Sequence, residues 1–152
     1  MRRFTAVELA VGVALLGSLA AVAVPAFVRE LHASRFVEPT DGLARIGAAA
    51  VVYAEENRQF PESAPLTPAT PPRGTKEADA PGLWDTPAWT ALGFRPVPDG
   101  VPHAYAFSFE NVGGGTAFVA QAHGDLDGDG IQSTFEIRGF ARPGEKPAVA
   151  PG

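Results

Sequence analysis

The sequence predicts an α+β fold in which a long N-terminal α-helix, membrane-spanning in its first half, packs on a small antiparallel β-sheet. Two features predict it. No charged residue occurs from Leu9 to Val28, whereas the chain after Ser34 mixes polar and apolar residues with many Pro and Gly. Apolar residues then alternate in short segments between Tyr105 and Phe140, which is the pattern of half-buried strands. The 152 residues suffice for one domain plus an accessory segment.

The uncharged run is long enough to cross a membrane. Its twenty residues, at about 1.5 Å each, span roughly 30 Å, the thickness of a bilayer core. Arg2 and Arg3 precede the run, and Arg29 and Glu30 follow it. This charge distribution favours a cytoplasmic N-terminus, with the rest of the chain outside. We expect the transmembrane part to cover about residues 6–28.

A secretory signal peptide is an alternative interpretation of the same segment. Met1-Arg2-Arg3 could form its basic region, and Ala21-Val22-Ala23 resembles a signal-peptidase site. Glu8 argues against it, because this acid interrupts the start of the apolar region.

Glu8 is an unusual residue at the membrane-entering end of the helix. An unpaired acid costs about 2.5–3.5 kcal/mol at the centre of a membrane helix and less near the interface. Glu8 could therefore lie at headgroup depth beside Arg2 and Arg3, or it could serve assembly by pairing with a specific partner.

The spacing of three residues resembles the N-terminus of type IV pilins and type II secretion pseudopilins. In that family a Phe begins the mature chain, a Glu lies four residues later and a Pro lies twenty-one residues after the Phe. Phe4, Glu8 and Pro25 have these spacings. The resemblance implies that prepilin peptidase cuts between Arg3 and Phe4 and methylates the new amine. Arg3 departs from the family pattern, which has Gly there.

The resemblance also implies how the subunits assemble. Glu8 would pair with the Phe4 amine of a neighbouring subunit as the helices pack in a filament core, since two opposite charges leave water at tolerable cost only when paired. If Arg3 is retained, its guanidinium could serve as the partner instead. Pro25 is expected to kink or locally unwind the helix. The subunit would reside in the bacterial inner membrane before assembly, then in a periplasmic or extracellular filament.

The rest of the chain predicts a helix followed by a β-rich head. The expected divisions are a basic leader (1–3), an N-terminal helix (4–58), a globular head (59–143) and a flexible Pro-rich tail (144–152). Pro39 and Gly42 are expected to interrupt the helix, with Thr40 or Asp41 capping a restarted segment.

Within the head, the Pro-rich stretch from Ser63 to Pro81 is expected to be an irregular connection. A short helix from about Pro87 to Leu92 follows, and bulky apolar residues should cover the sheet: Trp84, Trp89, Leu92 and Phe94. Three strands, at about residues 104–109, 116–123 and 133–140, should form an antiparallel meander.

An acidic loop lies between the last two predicted strands. Residues 125–136 match the calcium-loop pattern D-x-[DN]-x-[DN]-G-x5-E. Alternate residues of a tight loop can aim hard oxygens at one Ca²⁺ ion. The expected ligands are the side chains of Asp125, Asp127, Asp129 and Glu136, the carbonyl of Ile131, and Ser133 directly or through water.

Two features of the loop oppose this interpretation. Strands rather than helices flank it, so a hairpin could point Glu136 away from the ion. Asp-Gly repeats also form good turns without any ion. Three alternating carboxylates repel one another without a counter-ion, which favours calcium.

Composition argues against several other functions. The net charge of −5 and the lack of a Lys/Arg cluster argue against a nucleic-acid partner. The absence of Cys excludes disulfides and thiolate metal sites. His32, His103 and His123 are scattered without a catalytic spacing, so we expect no enzymatic activity. The favoured function is a pilus or pseudopilus subunit; the alternative is a monomeric calcium-binding domain, membrane-anchored or secreted.

Overall fold

The computed structural model describes residues 5–151, and between residues 28 and 34 it describes the backbone alone. The chain divides into two compact units, Met1–Val37 and Glu38–Gly152. The first element, helix α1, covers Ala6–Asn57 and contributes residues to both units. The second unit, here called the head, adds a five-stranded antiparallel sheet and a short helix. The α+β prediction is therefore confirmed.

Helix α1 continues through both prolines at which a disturbance was expected. It is not unwound at Pro25, and it does not end and restart near Pro39. The prediction of an interrupted helix capped by Thr40 or Asp41 is thus wrong. Asp41 instead lies 3.9 Å from Arg45, one turn further along the same helix. Pro39 is buried in the head, so packing there outweighs the loss of one backbone hydrogen bond.

Gly42 has a packing role that explains why it does not break the helix. A Cβ atom built on Gly42 would lie 2.5 Å from two ring atoms of Phe107, closer than any real contact. The glycine lets the helix backbone approach the sheet. Gly47, five residues later, does the same, since its Cβ would lie 2.9 Å from Ile137. Gly42, which was expected to interrupt the helix, is thus a contact point between α1 and the sheet.

The helix ends at Asn57 because Arg58 turns the backbone into the left-handed region, with φ of 61°. The Arg58 N–H still donates to the Ala54 carbonyl at 2.9 Å. This geometry closes the helix, although Gly is the usual residue there.

The sheet is a meander with strand order β1-β2-β3-β4-β5, and all neighbouring pairs are antiparallel. The strands are β1 (Ala64–Thr67), β2 (Ala106–Val112), β3 (Ala117–Gly124), β4 (Ser133–Phe140) and β5 (Ala148–Val149). The three predicted strands correspond to β2, β3 and β4.

The two outer strands correct the sequence prediction. β1 lies in the stretch expected to be irregular, and β5 lies in the tail expected to be flexible. β1 pairs with β2, and β5 pairs with Gly139 and Phe140 of β4. Both are short segments with Pro beside or within them, so they lack a period-2 pattern, and pairing with a formed sheet decides their conformation.

Aromatic side chains fill the space between α1, the sheet and the short helix α2 (Pro87–Ala91). The Trp84 and Phe94 rings lie 6.4 and 5.3 Å from the Phe107 ring on β2. The Trp89 indole N–H donates to the Thr67 hydroxyl at 2.9 Å, which satisfies its one polar atom in the core. The four bulky residues from Trp84 to Phe94 are buried as expected.

Candidate functional site

The N-terminal segment of α1 is apolar and lacks buried residues. Ala6–Phe27 has a mean hydropathy of 2.2, and none of its residues is buried. This segment is long and apolar enough to span a membrane, although a signal sequence shares these properties. Ten of its large side chains are exposed, from Val7 at 72% to Phe27 at 64%. Such a surface is suited to a membrane or to contact with other apolar helices.

Glu8 and Thr5 form a reciprocal cap at the beginning of α1. The Glu8 carboxylate accepts hydrogen bonds from the Thr5 backbone N–H at 2.8 Å and the Thr5 hydroxyl at 3.0 Å. In return, the Glu8 N–H donates to the Thr5 hydroxyl oxygen at 3.2 Å. This is a capping box, in which Thr at the N-cap and Glu three residues later satisfy free helix donors. The T-x-x-E pattern could have revealed it in the sequence.

The other N-terminal residues predicted to have a role are Arg3, Phe4 and Pro25. Arg3 and Phe4, the expected processing residues, lie outside the described residues. Pro25 lies within the continuous, exposed part of α1.

The acidic loop brings three of its predicted ligands together. Carboxylate oxygens of Asp125, Asp127 and Asp129 all lie within 4.8 Å of one another. Asp127 and Asp129 are exposed, whereas Asp125 is only 2% exposed. A metal ion could be held here, because three carboxylates converge on one point.

Asp125 already organises the loop through its hydrogen bonds. Its two carboxylate oxygens accept the N–H groups of Gly128 at 2.9 Å and Gly130 at 3.1 Å. The Arg73 guanidinium lies 3.2 Å from the same carboxylate and balances its charge. A cation bound to all three aspartates would therefore compete with Arg73.

The segment containing Arg73 packs tightly on the loop. The Gly74 N–H donates to the Asp125 carbonyl at 2.7 Å. Gly74 and Gly128 both have positive φ, and a Cβ on either would lie 3.4 Å from the Cα of the other. Glycine allows both the left-handed backbone and this approach.

Of the remaining predicted ligands, Glu136 is not part of this cluster. Glu136 lies inside β4, where its carboxylate accepts hydrogen bonds from Gln121 at 2.8 Å and Arg138 at 2.6 Å. The expectation that Glu136 completes the ligand set is therefore wrong, since the hairpin directs it to a neighbouring strand. Ser133 begins β4, opposite Gly124. Ile131 donates its N–H to Asp129 at 2.7 Å, and its side chain is 76% exposed.

The two hydrogen bonds also set the charge state of Glu136. Donation from Gln121, and then from Arg138, holds the pKa of the Glu136 carboxyl below its usual value. These donors stabilise the ionised form.

Glu38 joins the helix to the sheet through a polar network that the sequence did not predict. Its Oε1 atom accepts the backbone N–H groups of Ala104 at 2.8 Å and Tyr105 at 2.9 Å. Its Oε2 atom lies 3.7 Å from the Lys76 ammonium. No local signal could reveal these contacts, because Glu38 and Ala104 are 66 residues apart.

His103 lies next to this network and is fully buried. Its Nε2 atom lies 2.6 Å from the Asp79 carboxylate, and its Nδ1 atom lies 2.8 Å from the Tyr105 carbonyl. The Trp84 indole N–H donates to the same Asp79 oxygen at 2.6 Å. Every contact of this ring joins segments of the core, so the arrangement is structural.

His123 is half-buried in β3 and pairs with Thr134 across the hairpin at 3.0 Å. It does not belong to the aspartate cluster that the described residues form.

Comparison with known proteins found no family model that matches the chain, no matching curated protein and no matching solved structure.

Proposed function

We propose that the chain is a structural subunit of a type IV pilus-like or type II secretion pseudopilus filament, assembled through its N-terminal helix. The observation that carries the proposal is a single acid, Glu8, in a helix segment whose large apolar side chains are all exposed. Neighbouring apolar helices would cover this surface. The Phe4, Glu8 and Pro25 spacings and a head of helix on antiparallel sheet support a pilin-like fold.

Glu8 has two possible roles that one substitution separates. A Gln at this position can still close the capping box with Thr5, because Gln serves there as well as Glu. It cannot form an ion pair with the Phe4 amine of a neighbour. Glu8→Gln should therefore preserve the helix start and abolish assembly, whereas Thr5→Ala should cost about 1 kcal/mol of capping energy and leave assembly intact.

The experiment expresses the full-length chain together with a prepilin peptidase and its assembly machinery. Filaments are counted by electron microscopy, and intact mass shows whether cleavage occurs after Arg3 and whether Phe4 is methylated. Glu56→Gln, an exposed acid of α1 in the head, is the matched control and should assemble normally. The proposal fails if the wild-type protein stays monomeric, or if Glu8→Gln assembles as well as Glu56→Gln.

Calcium binding by the acidic loop is a second candidate function, favoured by the convergence of three carboxylates. Without Glu136, the loop offers fewer protein oxygens than the six to eight that calcium takes, so water would complete the shell. We expect an affinity near the millimolar range of extracellular sites. At a Kd of about 1 mM, 10 mM Ca²⁺ would stabilise the head by about 1.4 kcal/mol.

Thermal unfolding of the full-length protein, with and without Ca²⁺, tests this site. Asp127→Asn should remove the gain in Tm, whereas Glu136→Gln should retain it, because Glu136 lies outside the cluster. An unchanged wild-type Tm on adding Ca²⁺ would exclude the site. Calcium stabilisation of a protein that remains monomeric with Glu8 intact would instead support an anchored or secreted calcium-binding domain.

A further inference from the structure

The head carries two different charged surfaces at the two ends of one β-hairpin. β3 and β4 pair along their whole length, from Ala117 opposite Phe140 to Gly124 opposite Ser133. Eight residues per strand, at about 3.3 Å each, place these ends roughly 25 Å apart. The acidic loop leaves the Gly124 end. A cleft lies at the Ala117 end.

This cleft has a volume of about 700 Å³ and is here called the basic cleft. Three cations line it, namely Arg58, Arg142 and Lys146, together with apolar atoms of residues such as Ala54 and Ala141. Two acids, Glu55 and Glu145, also line it.

The cations of the basic cleft differ in whether they are already paired. Arg142 lies 3.5 Å from Glu145 and is thereby neutralised. Within the described part of the chain, Arg58 and Lys146 form no ion pair. The two unpaired cations outnumber the one remaining acid, Glu55, so the cleft has a net positive charge. Both cations are available to a ligand.

The acidic loop presents a complementary surface. Asp127 and Asp129 are exposed, and Asp125 is balanced by Arg73. Asp127 has neither a hydrogen bond nor an ion pair among the described residues. Ile131 extends beside them with 76% of its surface exposed, the highest exposure of any large apolar residue in the described head. The loop thus offers two acids and an apolar side chain to a partner.

We propose that the acidic loop of one copy docks into the basic cleft of the next copy. Asp127 and Asp129 would pair with Arg58 and Lys146, and Ile131 would cover the apolar wall that includes Ala54. The two surfaces lie on different parts of the head, so the contact is heterologous. A head-to-tail contact of this kind generates an open helical filament unless its rotation closes a ring. This inference rests on the proposed filament and names a second contact within it.

Disulfide crosslinking of the full-length protein tests the contact, because the chain contains no native cysteine. Asp129→Cys and Lys146→Cys are introduced singly, co-expressed and oxidised in native membranes. We expect a disulfide-linked dimer from the mixture. The double variant should give a ladder of higher multimers, since about 25 Å separates its two ends and prevents an internal disulfide.

The matched control replaces Lys146→Cys with Thr70→Cys, which is exposed but does not line the cleft. It should crosslink at least fivefold less. Raising NaCl to about 0.5 M should also reduce the dimer severalfold, because exposed charge pairs are screened. Crosslinking equal to the control, or a double variant that stops at dimers, would overturn the proposal.

The outcomes separate this contact from the filament itself. Filaments without the specific crosslink would refute the loop-to-cleft contact and leave the Glu8 mechanism standing. The crosslink without filaments would retain the contact and refute the filament role. Asp129→Lys should weaken head association, and adding Lys146→Glu should restore it; failure of that restoration also counts against the contact.

Discussion

Replacing Glu38 by Ala should strongly destabilise the head, although Glu38 is a polar residue at its first position. The carboxylate accepts two backbone N–H groups, those of Ala104 and Tyr105. Both residues are at most 3% exposed, so the substitution would remove a charged acceptor from two buried donors. The Lys76 ammonium would also lose its partner.

The expected loss follows from the loss of two hydrogen bonds to a charged acceptor. Hydrogen bonds to charged groups contribute about 1.5–3 kcal/mol each. The Glu38 side chain is 20% exposed, so water can reach part of the vacated space and the lower half of that range applies to each donor. We therefore expect Glu38→Ala to lower the free energy of unfolding by about 3 kcal/mol. Glu38→Gln keeps an acceptor oxygen and should lose only about 1 kcal/mol.

Urea unfolding followed by tryptophan fluorescence measures these losses in the full-length protein in detergent. The method reports on the head alone, because both tryptophans, Trp84 and Trp89, lie in its core. Glu56→Ala, an exposed acid on the same helix, is the control and should change stability by less than about 0.5 kcal/mol. A Glu38→Ala protein within 1 kcal/mol of wild type, or as stable as Glu38→Gln, would refute the reasoning.

Two further predictions concern packing and charge. Gly42→Ala should destabilise the head by about 1–3 kcal/mol, because the new methyl group overlaps the Phe107 ring; a gain in stability, as helix propensity alone predicts, would contradict this packing. The pKa of Glu136 is lowered on folding by Gln121 and Arg138, so its contribution to stability is complete above the unfolded pKa and is lost as pH falls through the folded pKa. A ¹³C NMR titration should show this lowered pKa, and Gln121→Ala should raise it; an unchanged value would show that the hydrogen bond is not formed.

The sequence revealed the local features of the fold and missed those that depend on distant contacts. β2 and β4 carry alternating apolar residues. This signal is local and does not depend on tertiary contacts, so the meander was predictable. β5 has two residues and no such pattern, and it exists because an edge was available on β4. Gly42 predicts a helix break from the sequence alone, because the sequence does not reveal its tertiary contact with Phe107.

The candidate site shows the same division. The spacing of Asp125, Asp127 and Asp129 is local, and their convergence was predicted. Arg73, the partner of Asp125, lies 52 residues away in the sequence. Their contact could not be predicted from the sequence. Glu136 matches the calcium-loop motif, but it lies in strand β4, where its carboxylate binds Gln121 and Arg138 instead of joining the aspartates.

The short length of β5 leaves the sheet with an open side. β5 pairs only with Gly139 and Phe140 of β4, and the Ala150 N–H adds one hydrogen bond to the Arg138 carbonyl. No other strand of the described chain pairs with the rest of this outer edge. An uncovered edge is a template on which a foreign strand can grow, and it is therefore an aggregation hazard. β4 carries Glu136 and Arg138 on this edge, and charged side chains oppose such pairing. The exposed pair, which contributes little to stability, is thus a feature that disfavours edge-to-edge pairing of the sheet.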